Sequence, residues 1–89
     1  MKLERIIITM LTNLYTMRDR KSGIYGNPFV SYNDKCAIRD FDAFCNLQQN
    51  SYLADDMELY KLGTFESDTG EIISYKPEFL KGGELIETV

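Results

Sequence analysis

The stretch beginning at Asn33 constrains this chain most, because only one regular structure reconciles its pattern with water. Ala37, Ile38, Phe41, Phe44 and Cys45 recur at i, i+1, i+4, i+7 and i+8. On a helix these positions share one arc of about 120°. Lys35, Arg39, Asp42 and Asn46 fall on the opposite side. Asn33 or Asp34 supplies an N-cap, since either side chain can accept a hydrogen bond from the exposed first-turn amides. The spacing predicts a helix over roughly 34–48, with Phe41 and Phe44 driving its burial. A helix with a single apolar stripe needs a second layer to cover it.

The flanking segments supply that layer. Ile6 to Met17 is rich in β-branched and long apolar residues, although Leu3, Ile7, Met10, Leu11 and Leu14 also fit a helical stripe. Residues 1–12 therefore stay open between the two structures. Asp19-Arg20-Lys21-Ser22-Gly23 reads as a hairpin turn with Gly23 at positive φ. Ile24-Tyr25 continues as a strand, Gly26-Asn27-Pro28 bends the chain at Pro28, and Phe29 to Tyr32 leads into the helix. Beyond it, Gln48 to Asp56 is a polar loop anchored by Tyr52 and Leu53. Met57 to Phe65 is a strand with Tyr60 and Leu62 on its apolar face; the phase then slips at Gly63, where a β-bulge is expected, and Phe65 resumes that face. Ser67-Asp68-Thr69-Gly70 forms a second turn, Glu71 to Tyr75 returns, and Pro77 ends the strand. Phe79 and Leu80 dock before Gly82-Gly83. The result is an α+β fold: an antiparallel sheet of about four strands in ββαββ order, with one amphipathic helix packed across it. Residues 1–89 form a single domain, with 1–12 an N-terminal extension and 78–89 a C-terminal tail.

Eighty-nine residues bury only about 60–65% of the unfolded surface, so association into a homodimer is a natural way to hide more. The net charge of −4 is unevenly spread. Residues 1–39 carry seven basic and three acidic side chains, a net +4, while residues 40–89 carry three lysines and eleven acids, a net −8. Either the fold has one basic face or the two halves neutralise each other. Cys36 and Cys45, nine residues apart on one helix, stand roughly 13 Å apart, too far for a disulfide. Reduced thiols fit a cytosolic setting. Glu4, Thr9 and Thr12 break up the apolar start, which reads as neither a signal peptide nor a membrane span.

Catalytic equipment is sparse. The chain has no histidine, no glycine-rich phosphate loop and no thiol beside a base, so it is expected to bind rather than catalyse, without cofactor or metal. Asp68-Thr69-Gly70 matches the aspartic-protease triplet, but that chemistry needs two carboxylates in a protected site. Here polar neighbours make it a solvated turn. Asp55-Asp56 and Glu58 lack the spacing of a hard-cation loop. More suggestive are Arg18, Arg20 and Lys21 at the first hairpin tip, near Tyr15, Tyr25 and Tyr32. Basic and aromatic side chains together hold single strands through phosphate attraction and base stacking. The ordinary alternative is a solvated turn with half-buried tyrosines.

Three blocks carry a resemblance over roughly residues 14–77. They are Tyr15-Thr16-Met17-Arg18-Asp19-Arg20-Lys21-Ser22-Gly23-Ile24-Tyr25-Gly26-Asn27-Pro28-Phe29, then Ala37-Ile38-Arg39-Asp40-Phe41 with Asn46, then Asp56 to Phe65 closing with Asp68-Thr69-Gly70. The series is similar to the small nonstructural protein of gokushoviruses, microviruses with circular single-stranded DNA genomes. Two departures stand out: Ala54 replaces a proline before the acidic pair, and residues 1–12 extend upstream, with Met10 an alternative start. The resemblance implies a DNA-binding nonstructural protein in a bacterial host cytoplasm, serving viral single-strand synthesis or genome packaging. On that reading Arg18, Arg20, Lys21, Lys35 and Arg39 contact phosphates, and Tyr25 and Tyr32 stack on bases. The rival is a protein–protein adaptor that engages the viral replication protein, the procapsid or a host factor through a sheet edge or an acidic face.

Overall fold

A computed structural model describes residues 11–47 and 53–83. Strands β1 (Leu11–Asp19), β2 (Ile24–Tyr25) and β3 (Phe29–Ser31) precede helix α1 (Asp34–Cys45), and β4 (Met57–Glu66) and β5 (Glu71–Gly82) follow it. All pairings are antiparallel in the order β2-β1-β4-β5, and β3 joins β1 on the same side as β2. The expected α+β architecture is observed: a curled antiparallel sheet with one helix across it.

β2 and β3 act as one interrupted strand. Ile24 and Tyr25 pair with Asp19 and Arg18, and Phe29 to Ser31 pair with Tyr15 to Asn13. The break falls at Gly26-Asn27-Pro28, where proline supplies no ladder donor. Gly26 is nevertheless latched to β1: its N–H donates to the Met17 carbonyl at 2.7 Å, and its carbonyl accepts from the Thr16 hydroxyl at 2.8 Å. Thr16 is consequently buried although it is polar. Both hairpin turns use glycine as expected, with φ of +77° at Gly23 and +79° at Gly70.

Asn33, in extended conformation, caps α1 by accepting the Cys36 N–H at 2.8 Å. The helix ends at Asn46, short of the expected residue 48, and residue 48 itself lies outside the described residues. Ala37, Phe41 and Cys45 are fully buried, with Ile38 and Phe44 partly so, as the periodicity requires. Asp42 corrects the sequence reading. It does not point away from the sheet but pairs with Lys81 of β5 at 2.8 Å, because a side chain at the stripe's border reaches the neighbouring strand. Both cysteines are free thiols.

Tyr15 joins the two layers. Its ring is fully buried and stacks on Phe29 at 5.8 Å. Its hydroxyl donates to Asp34 at 2.6 Å and accepts from the Asn13 amide at 3.2 Å. Lys61 of β4 approaches the same Asp34 carboxylate at 3.3 Å. Asp34 also sits in the first helical turn, where a negative charge favours the helix dipole. The Tyr15 hydrogen bond, with Lys61 adding to it, holds the Asp34 carboxyl below its ordinary range; burial opposes the shift. Burial and the Asp34 carboxylate push the Tyr15 hydroxyl up.

The expected bulge is present. β1 pairs Leu14 with Gly63 but Tyr15 with Lys61, so Leu62 is the extra residue, and the β4–β5 register breaks at the same place. A Cβ on Gly63 would overlap the Ile73 carbonyl oxygen and stand 2.9 Å from the Ser74 Cα. The slip carries Tyr60 and Phe65 onto one face, as read from the sequence, but that face is not the core. Leu59 is the fully buried residue, packed with Tyr15, Ala37, Phe41, Cys45 and Ala54. A second correction concerns Pro77, which does not end β5. Residues 78–82 continue the strand and pair with β4, because proline is tolerated where the ladder is already broken, between the Gly63–Ser74 and Lys61–Glu78 pairs. Residues 1–10, Tyr52 and the acidic tail from residue 84 lie outside the described residues.

Replacing Gly63 with Ala should cost roughly 3 kcal/mol or more in chemical denaturation, since backbone atoms block the methyl. Gly70→Ala meets nothing within 4 Å and should cost only about 1–2 kcal/mol for its left-handed backbone. Asp34 predicts an acid dependence. Its lowered folded pKa gives stability that is present above the unfolded value of about 3.9 and is lost as pH falls through the folded value. Urea unfolding from neutral to strongly acidic pH should show that loss in the natural protein, and Asp34→Asn should abolish this part of the slope.

Candidate nucleic-acid interface

Alternation along β1, β4 and β5 leaves one face of the sheet without a helix. Arg18 pairs in register with Tyr25 and Glu58, and Tyr60 with Thr16 and Phe79, so these side chains share that open face. Tyr25, Tyr60 and Phe79 form a row across β2, β4 and β5. Neighbouring ring centroids lie 5.4 and 5.7 Å apart, both edge-to-face, a favoured aromatic geometry. Tyr25 is 45% and Phe79 53% exposed. The Arg18 guanidinium lies 5.5 Å from the Tyr25 ring centroid while bridging to Glu58 at 3.2 Å. Burial first, then the Glu58 carboxylate, push the Tyr60 hydroxyl up, so it stays a neutral donor toward Glu58 at 3.4 Å.

The candidate residues read from the sequence fall in separate places. Arg18 and Tyr25 meet on the open face. Arg20 and Lys21 sit at the β1–β2 tip, where acidic residues from the second half of the chain engage them. Arg20 donates to the Asp55 carbonyl at 2.6 Å, and Asp56 lies 4.0 Å from Arg20 and 3.9 Å from Lys21. The Arg20 N–H adds a backbone bond to the Asp56 carbonyl. Tyr32 and Arg39 line a cleft of about 400 Å³ beside Val30, Cys36 and Asp40, and Arg39 approaches Asp40 at 3.6 Å. Lys35 is exposed at the start of α1, in a shallow cleft with Asn33, Asp34 and Lys61.

This distribution decides between the two charge readings. Arg18–Glu58 and the Arg20 and Lys21 pairs with Asp56 join bases of the first half to acids of the second, whereas Asp34–Lys61 pairs an acid of the first half with a base of the second. The basic residues of β1 and its tip are thus compensated by acids at the start of β4 and just before it. Of Asp55, Asp56 and Glu58, Asp56 faces the basic tip with its carboxylate, Asp55 with its backbone carbonyl, and Glu58 pairs with Arg18 on the open face. Tyr60 and Phe79 were not among the sequence candidates. Their signal existed only in the pairing register, which no local pattern discloses.

The opposite tip of the sheet is acidic. Glu66 and Glu71 face each other directly across β4 and β5, with Asp68 in the turn between them. The Thr69 hydroxyl lies within 3.3 and 3.4 Å of the two carboxylates. Like charges directly opposite destabilise a sheet. The Asp68-Thr69-Gly70 triplet occupies this exposed turn, closed by the Gly70 N–H donating to the Glu66 carbonyl at 2.7 Å.

The chain belongs to the Phage ORF5 protein family, whose model matches residues 12–86. Comparison with curated proteins and with solved structures found no match. Among the described residues, no helix is long and apolar enough to cross a membrane.

Glu71→Thr removes the like-charge pair and places a good strand former opposite Glu66. The midpoint of urea unfolding should rise, by about 0.2–1 kcal/mol in stability.

Proposed function

We propose that this chain is a DNA-binding accessory protein of a single-stranded DNA phage, and that it holds an unpaired strand on the open face of its sheet. The observation that carries the reading is the Tyr25–Tyr60–Phe79 row, which presents aromatic surface beside a guanidinium. Such a row accepts any base by stacking, at ~1–3 kcal/mol each, whereas a duplex hides its base faces. Membership of a phage family supports a viral process. The resemblance to gokushovirus nonstructural proteins supports single-strand synthesis or packaging in the bacterial host cytoplasm.

The ion pairs shape the energetics. Arg18, Arg20, Lys21 and Arg39 each already face a carboxylate. A phosphate must compete with that partner, so stacking supplies most of the affinity and salt weakens it only modestly. Full neutralisation of a phosphate would steepen the log–log salt slope by about 0.7 for a single strand.

A second reading draws on the acidic tip at Glu66, Asp68 and Glu71 and on the same compensation of basic charge. In it the chain is an adaptor, and a basic protein segment takes the place of DNA.

Fluorescence anisotropy with single- and double-stranded oligonucleotides, across a salt series, separates the two. Single strands should bind better, and Phe79→Ala should weaken binding by roughly 5- to 150-fold, the equivalent of one lost stack. Glu58→Gln frees Arg18 and should tighten binding while steepening the salt slope. Absence of single-strand binding at low salt would refute the reading and leave the adaptor.

A further inference from the structure

β5 closes one side of the sheet, and no strand among the described residues covers its outer edge. Every residue from Glu71 to Phe79 is exposed. An open edge presents unpaired N–H and C=O groups that template another strand, and proteins usually blunt it with lysine, proline or bulges. β5 is blunted in only one half. From Lys76 onward it carries Pro77 and Lys81, and its ladder to β4 is broken twice. From Glu71 to Ser74 its ladder is unbroken and it carries neither lysine nor proline; Ile72 (55%), Ile73 (65%) and the adjoining Tyr75 are exposed. The sheet's other side offers no such run, because β2 and β3 are two and three residues long and separated.

We propose that the Ile72–Lys76 segment pairs antiparallel with the same segment of a second copy, centred on Ser74. Two identical strands paired in this way are related by a two-fold axis perpendicular to the sheet. The central residue then faces itself, and its neighbours meet in reciprocal pairs. Centring on Ser74 sets Ile73 against Tyr75 twice on one face and Ile72 against the Lys76 stem twice on the other. No like charges meet. A centre at Ile73 would cover Tyr75 with the Glu71 carboxylate, and a centre at Tyr75 would oppose Ile73 to Pro77, which has no N–H. Stable interfaces bury about 800 Å² per partner. A seam this short buries less, so the dimer dissociates on dilution.

Sedimentation velocity on the full chain over a dilution series should show a monomer–dimer equilibrium. Ile73→Lys places a charge in the apolar pair at an exposed position, and should shift the equilibrium to monomer with an unchanged circular dichroism spectrum. Ser74→Cys in a Cys36→Ser background should form a disulfide-linked dimer on mild oxidation, because residues facing each other in an antiparallel pair lie about 4.5–5.5 Å apart, within disulfide reach. Mass spectrometry of the linked peptide locates the bond. A monomer at every concentration, as expected if the edge receives a strand from a different protein, would overturn the proposal. So would a dimer that survives Ile73→Lys and leaves the Ser74→Cys thiols unlinked. The oligonucleotide assay reads the open face and this one reads the edge, so the two proposals fail independently.

Discussion

The arrangement of both layers depends on the hydrogen bond from Tyr15 to Asp34. A tyrosine ring can be buried only if its hydroxyl finds a partner, and here the partner is a carboxylate in the first turn of the helix. Hydrogen bonds to charged groups are worth about 1.5–3 kcal/mol, and this one lies toward the low end because Asp34 stays 44% exposed. Its larger effect is geometric. One side chain fills the core, fixes where α1 starts on β1, and brings Lys61 of β4 to the same carboxylate. With the helix start pinned, Phe41 and Cys45 reach Leu59 and Ala54, and Asp42 reaches Lys81. The opposite face of the sheet is left to Arg18, Tyr60 and Phe79.

Local chemistry made much of this fold legible. Gly23 and Gly70 marked turns because positive φ has few other occupants, and the Phe41–Phe44 periodicity marked a helix needing cover. Gly63 marked a bulge because the phase slipped beside a glycine. What stayed hidden depended on distant partners. The slip showed that Tyr60 and Phe65 share a face but not which face the helix covers, so Leu59 was passed over as the core residue. Pro77 looked like a terminator because its tolerance depends on β4 having already left the ladder. The basic residues were visible as a group, yet their carboxylate partners were not, and those partners separate the group in space.

The candidate site follows the same division. Arg18 and Tyr25 stood out as types and do meet on the open face. Tyr60 and Phe79, nineteen positions apart, become neighbours only through the β4–β5 register. Ala54 gave no sign of burial, since a lone alanine in a polar loop carries no periodicity, yet it is fully buried in the core.

The gap at Gly26-Asn27-Pro28 has a consequence for higher assembly. Strand pairing propagates indefinitely only when a molecule offers two usable edges, one to accept a neighbour and one to present onward. Here the interruption divides one side into fragments too short to template anything, which leaves β5 as the single long edge among the described residues. A molecule with one such edge is spent once it has paired. If β5 pairs as proposed, association stops at a closed pair, and the break that looks like a defect in the sheet would guard against fibre growth.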